Sequence, residues 1–122
     1  MNFMGKVIAQ RLHEVVENGN LGYEYTFDSN RDKNKKLRRD YFVNEAKMKE
    51  ILLELNETHY QESRPGTNEE HISDTVHIFK INKELMPRYK EEADYVTVSI
   101  YIKVTWPDGE PPMFIISFHE DE

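Results

Sequence analysis

The strongest constraint on the fold is an uninterrupted alternation of apolar and polar residues from Tyr95 to Trp106. Successive side chains of a β-strand point to opposite faces, so this pattern predicts a strand with one face in the core and one in water. Residues 107–112 contain three prolines and one glycine, which predicts a turn. A second alternating strand follows over 113–119, so the C-terminal third predicts an antiparallel pair.

The register of this pair is limited by its apolar faces. The apolar faces of the two strands lie on the same side of the sheet only if the residue numbers of each facing pair add up to an even number. A slip of one residue would turn the apolar face of one strand outward. A sum of 220 gives three core-side pairs: Trp106 with Phe114, Val104 with Ile116, and Ile102 with Phe118. It also places Tyr101 beside His119 and Lys103 beside Ser117. A sum of 218 would instead place Tyr101 beside Ser117, and both registers remain open.

Two helices are predicted where apolar residues recur every three or four positions, over about 4–18 and 45–55. Asn44 is a suitable N-cap for the second helix. The expected fold is α+β, a single domain over residues 1–122, with N-terminal helices packed on one face of a small, mainly antiparallel sheet.

Shorter segments complete the expected organisation. Alternation predicts strands over 23–27 and 76–81, and the polar segments 58–74 and 82–94 are interpreted as irregular connections. The segment 31–39, which is expected to be a loop or a polar helical turn, contains six basic residues: Arg31, Lys33, Lys35, Lys36, Arg38 and Arg39.

Composition excludes several classes of chemistry. The chain has no cysteine, which excludes disulfides, thiolate metal sites and cysteine nucleophiles. Its histidines lack the spacing of a metal site, and no glycine-rich phosphate loop is present, so no metal or cofactor is expected. No apolar run is long enough to span a membrane, and a cytoplasmic protein is expected.

The polar face of the predicted strand pair is the best candidate site. Either register brings together Tyr101, Lys103, Ser117 and His119, which supply an imidazole, a cation and two hydroxyls. Such a set suits RNA cleavage by the ribose 2′-OH, with one group taking its proton, another protonating the 5′ oxygen, and the cation stabilising the phosphorane. The simpler interpretation is an exposed sheet face that carries polar residues without a function.

The basic segment 31–39 is a candidate RNA-binding element that can follow a phosphate backbone, with Tyr23 or Tyr25 stacking on bases. The alternative is a solvated surface segment. Sixteen basic residues against 23 acidic ones give a net charge of −7, which argues against nonspecific binding of nucleic acids.

The order of these parts resembles the MqsR-type mRNA interferases, toxins of bacterial toxin–antitoxin pairs within the RelE-like group. A first helix that ends at Asn18-Gly19 is followed by a short strand and the second helix. The resemblance spans most of the chain and is carried by five segments: 51–55 (ILLEL), 58–63 (THYQES), 76–79 (VHIF), 101–104 (YIKV) and 115–119 (IISFH).

The resemblance implies a RelE/MqsR-like domain with metal-independent endoribonuclease activity on mRNA, free or ribosome-associated, and a cognate antitoxin protein as partner. The family's catalytic tyrosine falls on Tyr101 and its C-terminal lysine on His119. The lysine after the second helix falls on Gln61, which carries no charge, and His77 is the polar residue nearest to the family's glutamine. The acidic net charge also departs from the family, so a non-catalytic binding or inhibitor protein on the same scaffold is the alternative.

Overall fold

The computed structural model describes residues 3–66, 74–89, 94–107 and 111–121. Within these ranges the chain forms three helices and five strands: α1 (Phe3–Asn18), β1 (Tyr25–Phe27), α2 (Asp32–Asp40), α3 (Glu45–Glu54), β2 (Tyr60–Pro65), β3 (Thr75–Leu85), β4 (Val96–Thr105) and β5 (Met113–Glu120). The strands form one sheet in the order β1-β5-β4-β3-β2, in which β1 runs parallel to β5 and the other neighbours are antiparallel. The predicted α+β class, with helices on one side of a mainly antiparallel sheet, is confirmed.

The core lies between the sheet and the apolar stripes of α1 and α3. These stripes include Leu12 and Val16 of α1 and Ile51 and Leu52 of α3, all of which are buried. The side chain of Asn44 caps α3 by accepting a hydrogen bond from the Lys47 amide at 2.8 Å. Helical spacing and this cap explain why the sequence predicts both helices closely.

Two segments predicted as irregular connections are strands in the structure. β2 occupies Tyr60–Pro65, and β3 continues to Leu85 instead of ending at Ile81. β2 is an edge strand with mostly water-exposed side chains, so it lacks the apolar alternation that reveals a half-buried strand. The polar end of β3 is held by pairing with β4 and by the Lys83 ammonium, which lies 2.7 Å from the Glu54 carboxylate of α3. Residues 67–73 and 90–93 of these two predicted connections, and residues 108–110 of the predicted turn, lie outside the described residues.

The basic segment is a helix, α2, and not a loop. Asp32 in its first turn and Arg38 and Arg39 in its last turn complement the helix dipole. Only Leu37 and Asn34 of α2 are buried. Two buried residues do not form an apolar stripe from whose spacing a helix could be predicted.

The register of β4 and β5 follows the sum of 220 in four of the six facing pairs. Tyr101 faces His119, Ile102 faces Phe118 and Lys103 faces Ser117, as predicted. Beyond a β-bulge, however, Val104 faces Ile115 and Thr105 faces Phe114. The predicted pairs of Val104 with Ile116 and of Trp106 with Phe114 are wrong, because Ile116 is an extra residue of β5 that shifts the register by one.

The side chain of Asn34 pairs with the edge of β5 beyond the end of β1. Its Nδ2 donates to the carbonyl oxygens of Ile116 at 3.0 Å and Asp28 at 2.9 Å, and its Oδ1 accepts from the Phe118 amide at 2.9 Å. β1 pairs with β5 only as far as Ile115. The Asn34 amide therefore takes the place of the missing strand and fixes α2 against the sheet.

Asn34→Ala is expected to lower the free energy of unfolding by about 2 kcal/mol or more, because the Phe118 amide and the Ile116 carbonyl lose their buried partner. Chemical denaturation monitored by circular dichroism measures the change. Asn30→Ala is the matched control, because Asn30 is exposed and its side chain bonds to no described residue. Equal stabilities of the two variants would contradict this role of Asn34.

Candidate functional site

The sheet face turned away from α1 and α3, here called the open face, carries most of the predicted site. Facing residues of antiparallel strands lie on the same side of a sheet, so the register places Lys80, Tyr101 and His119 in one row. Lys103 and Ser117 lie in the next row. The structure thus brings together the four residues that the sequence predicts for this face.

The rings of Tyr101 and His119 form a stacked pair on the open face. Their centroids are 5.1 Å apart and their planes differ by 14°. His119 Nδ1 lies 2.9 Å from the carbonyl oxygen of Glu120, which can only accept, so Nδ1 is assigned as the donor in this contact. In the neutral ring, Nε2 is then the basic nitrogen. A base and a hydroxyl group are therefore neighbours on one surface.

Lys103 lies among other cations. Burial lowers its pKa below the usual value of 10.5, and the nearby charges of Arg31 and Arg64 lower it further. No carboxylate of the described residues pairs with Lys103, whereas Lys80 on the same face lies 3.2 Å from Asp121. Within the part of the chain that the structure describes, no carboxylate thus compensates the charge of Lys103, which suits an anionic ligand.

Ser117 is on the predicted face but is buried rather than exposed to water. Its hydroxyl accepts a hydrogen bond at 3.2 Å from Nη1 of Arg31, the residue that precedes α2. This contact joins α2 to the open face. An open cleft of about 480 Å³ lies there, lined by Arg31, Asp32, Lys33, Tyr101, Lys103, Ser117, His119 and Asp121.

The structure does not bring His77 to this cleft. His77 faces Val104, so it lies on the helix-covered side of the sheet, opposite to Tyr101 and Lys103. Its Nδ1 lies 2.6 Å from the Ser63 hydroxyl. Burial lowers the pKa of His77, and the charge of Arg11 adds to this effect. The prediction that His77 shares a site with Tyr101 is wrong. Successive side chains of a strand point to opposite faces, and that of His77 points to the helix-covered face.

Gln61 also lies apart from the cleft. It occurs in the edge strand β2, where the pairing with β3 shifts its register, and its Nε2 donates to the His59 carbonyl at 3.1 Å. Gln61 is not among the residues that line the cleft. The predicted grouping of Gln61 with Tyr101, Lys103 and His119 therefore has no support in the geometry.

Helix α2 divides the six basic residues into three pairs. Arg31 and Lys33 line the cleft of the open face. Lys35 and Arg38 line a different cavity beneath the helix. Lys36 and Arg39 both approach the carboxylate of Asp40, at 3.8 Å each. The prediction that all six follow one phosphate backbone therefore reduces to Arg31 and Lys33.

The sequence alone does not reveal three residues that contribute charge to this face. Arg64 acts on Lys103 from β2, and Lys80, in the row of Tyr101 and His119, forms an ion pair with Asp121. Arg64 falls in the segment predicted as an irregular connection. Only recognition of β2 as a polar edge strand would have placed it near the site.

Lys103→Met is expected to raise the thermal midpoint of unfolding at about pH 7, because burial and repulsion disfavour the charged amine in the folded state. A lowered folded-state pKa destabilises the fold below that pKa, and the penalty disappears as the pH rises towards the unfolded-state value. The gain should therefore shrink between about pH 7 and about pH 10.

Lys80→Met is the matched control, because Lys80 has a carboxylate partner and its loss should give no gain in stability. Differential scanning fluorimetry of both variants measures the midpoints. A midpoint of Lys103→Met that falls as far as that of Lys80→Met would contradict the lowered pKa.

The described residues contain no cluster of three or more His, Asp or Glu side chains suited to a metal ion. None of the described helices is long and apolar enough to cross a membrane. Comparison with protein-family models, with curated proteins and with solved structures gives no match to this chain. The likeness to MqsR-type interferases stays a prediction that depends on the residues themselves.

Proposed function

We propose that the protein is a metal-independent endoribonuclease, an mRNA interferase that acts at the cleft of the open face. The observation that carries this proposal is the position of Lys103, a cation without a carboxylate partner among the described residues, one row from the stacked Tyr101 and His119. A phosphate bound there would compensate the charge of Lys103, which no carboxylate of the described residues does. The two rings would supply the proton transfers.

The proposed reaction is transfer of a phosphodiester to the neighbouring 2′ oxygen. His119 Nε2 takes the proton of the 2′-OH, the 2′ oxygen forms a bond to phosphorus, and the bond to the 5′ oxygen breaks. The Tyr101 hydroxyl protonates the leaving 5′ oxygen, and Lys103 stabilises the phosphorane. The products are a 2′,3′-cyclic phosphate and a 5′-hydroxyl end. Solvent exchange restores both protonation states.

Arg31 and Lys33 extend the cleft at the N-terminal end of α2, where each can contact a flanking phosphate. Recognition of single-stranded RNA, free or on the ribosome, fits a short cationic cleft on a chain whose net charge is −7. The proposal includes a cytoplasmic location and a cognate antitoxin protein that covers the toxin when it is inactive.

The same net charge favours a second candidate, a non-catalytic binding or inhibitor protein that acts on a protein partner. An acidic surface repels the phosphate backbone beyond the cleft and attracts a basic partner. Cleavage assays separate the two candidates, because only the nuclease requires Tyr101, Lys103 and His119 to act on RNA.

His119→Ala, Lys103→Met and Tyr101→Phe are each expected to lower RNA cleavage roughly a hundredfold, the scale of losing a positioned proton-transfer or charge-stabilising group. Purified protein is incubated with mixed-sequence single-stranded RNA in excess EDTA, with and without ribosomes, and the product ends are identified. Lys80→Met and His77→Gln are matched controls that should retain cleavage, since neither residue lines the cleft. Absence of cleavage by the wild type under both conditions would contradict the nuclease and favour the binding protein.

Arg31→Gln combined with Lys33→Gln is expected to weaken RNA binding and to reduce its salt dependence by about two phosphate contacts. The matched control is Lys36→Gln with Arg39→Gln, which removes the same charge from the same helix at residues paired with Asp40. Fluorescence anisotropy with a labelled oligonucleotide at several salt concentrations gives both slopes. Equal slopes for the two double variants would exclude a specific RNA contact by the start of α2.

A further inference from the structure

A second cavity lies on the other side of α2 from the cleft. Its volume is about 190 Å³, and its walls come from β1, α2, α3 and β5. The apolar part is formed by Phe27, Met48, Ile115 and Phe118. The cavity opens to the surface, where the exposed Ser29, Lys35 and Arg38 form part of its lining.

The size of the cavity suits a phenyl-sized group. An engineered apolar cavity of about 150 Å³ stays dry and binds benzene, which sets the scale for a ligand here. The polar atoms of Asn34 on the wall are already engaged by Asp28, Ile116 and Phe118. The interior therefore offers contacts to an apolar body and few to a polar one.

The entrance carries net positive charge. Lys35 and Arg38 line the cavity, are exposed, and form no ion pair with a described residue. Asp28 is the acidic residue of the lining, and its carboxylate lies 4.0 Å from Arg31 and accepts the Asn30 amide at 2.9 Å. The negative charge at the entrance is thus engaged, whereas two positive charges are available to a ligand.

We propose that this cavity is a binding site for a small amphipathic carboxylate, whose phenyl-sized apolar body lies among Phe27, Met48 and Phe118 and whose carboxylate meets Lys35 and Arg38. The combination of an apolar interior and two cations at the mouth defines this class. The site does not depend on RNA cleavage, since its walls lie on the helix side of the sheet and share no residue with the cleft.

The test uses phenylacetate as the probe and methyl signals of ¹³C-labelled methionines as the readout. The chain has five methionines, and the Met48 signal is identified with Met48→Leu. Titration should shift the Met48 signal in a saturable manner, because the aromatic ring contacts this side chain, and should leave Met86, which is absent from the walls, unchanged. The neutral analogue 2-phenylethanol, in which a CH2OH group replaces the carboxylate, should bind about tenfold more weakly.

Lys35→Gln combined with Arg38→Gln should reduce the affinity for phenylacetate about tenfold and leave that for 2-phenylethanol unchanged. The matched control is Lys36→Gln with Arg39→Gln on the same helix, which should bind both probes as the wild type does. Ser29→Trp at the exposed rim should abolish binding of both probes by filling the mouth.

Three outcomes would overturn the proposal. The first is a Met48 signal that phenylacetate does not shift, and the second is a uniform shift of all the methionines, which indicates nonspecific contact. The third is equal affinity of phenylacetate and 2-phenylethanol, or of the two double variants for phenylacetate, because the site would then not recognise an anion.

Discussion

The arrangement of the cleft and of the cavity depends on which groups supply hydrogen-bond partners to the backbone at the outer edge of β5. β1 is only three residues long and leaves the second half of β5 without a strand neighbour on that side. A buried edge cannot leave its amides and carbonyls without partners, and Asn34 supplies one donor and one acceptor from a helix. This side chain fixes where α2 lies, and therefore where the basic residues of the helix point.

Once α2 is held there, the residues at its start and those in its later turns contact different surfaces. Arg31 reaches the hydroxyl of Ser117 on the open face, while Lys35 and Arg38 line the cavity on the helix side. A single polar segment thus contributes cations to two unrelated environments. Within the helix, Lys33 and Lys35 are two residues apart, about 200° around the axis, and so point to opposite faces, whereas Arg31 precedes the helix in extended backbone.

The open face and the core have opposite effects on the stability of the fold. The buried stripes of α1 and α3 against the sheet supply the apolar burial that holds the fold. The cationic group around Lys103 opposes folding, since its members repel one another and the amine is partly desolvated. The proposed function gives this group a role, because a bound phosphate would offset the repulsion among its cations.

The sequence by itself determined the elements with strong periodicity. The alternation in β4 and β5 and the parity of their register placed Tyr101, Lys103, Ser117 and His119 on one face, and helical spacing with the Asn44 cap located α3. Local pattern is sufficient for these features because each has one wet and one buried side.

Only the tertiary structure decided between the two registers and introduced the bulge at Ile116, since both depend on how two strands meet. It also made a strand of the polar edge segment 60–65, added Arg64 to the cations around Lys103, and assigned His77 to the opposite face. These features depend on contacts between segments that are distant in the sequence. Edge strands and polar helices bury few side chains, so they lack the apolar pattern from which they could be predicted.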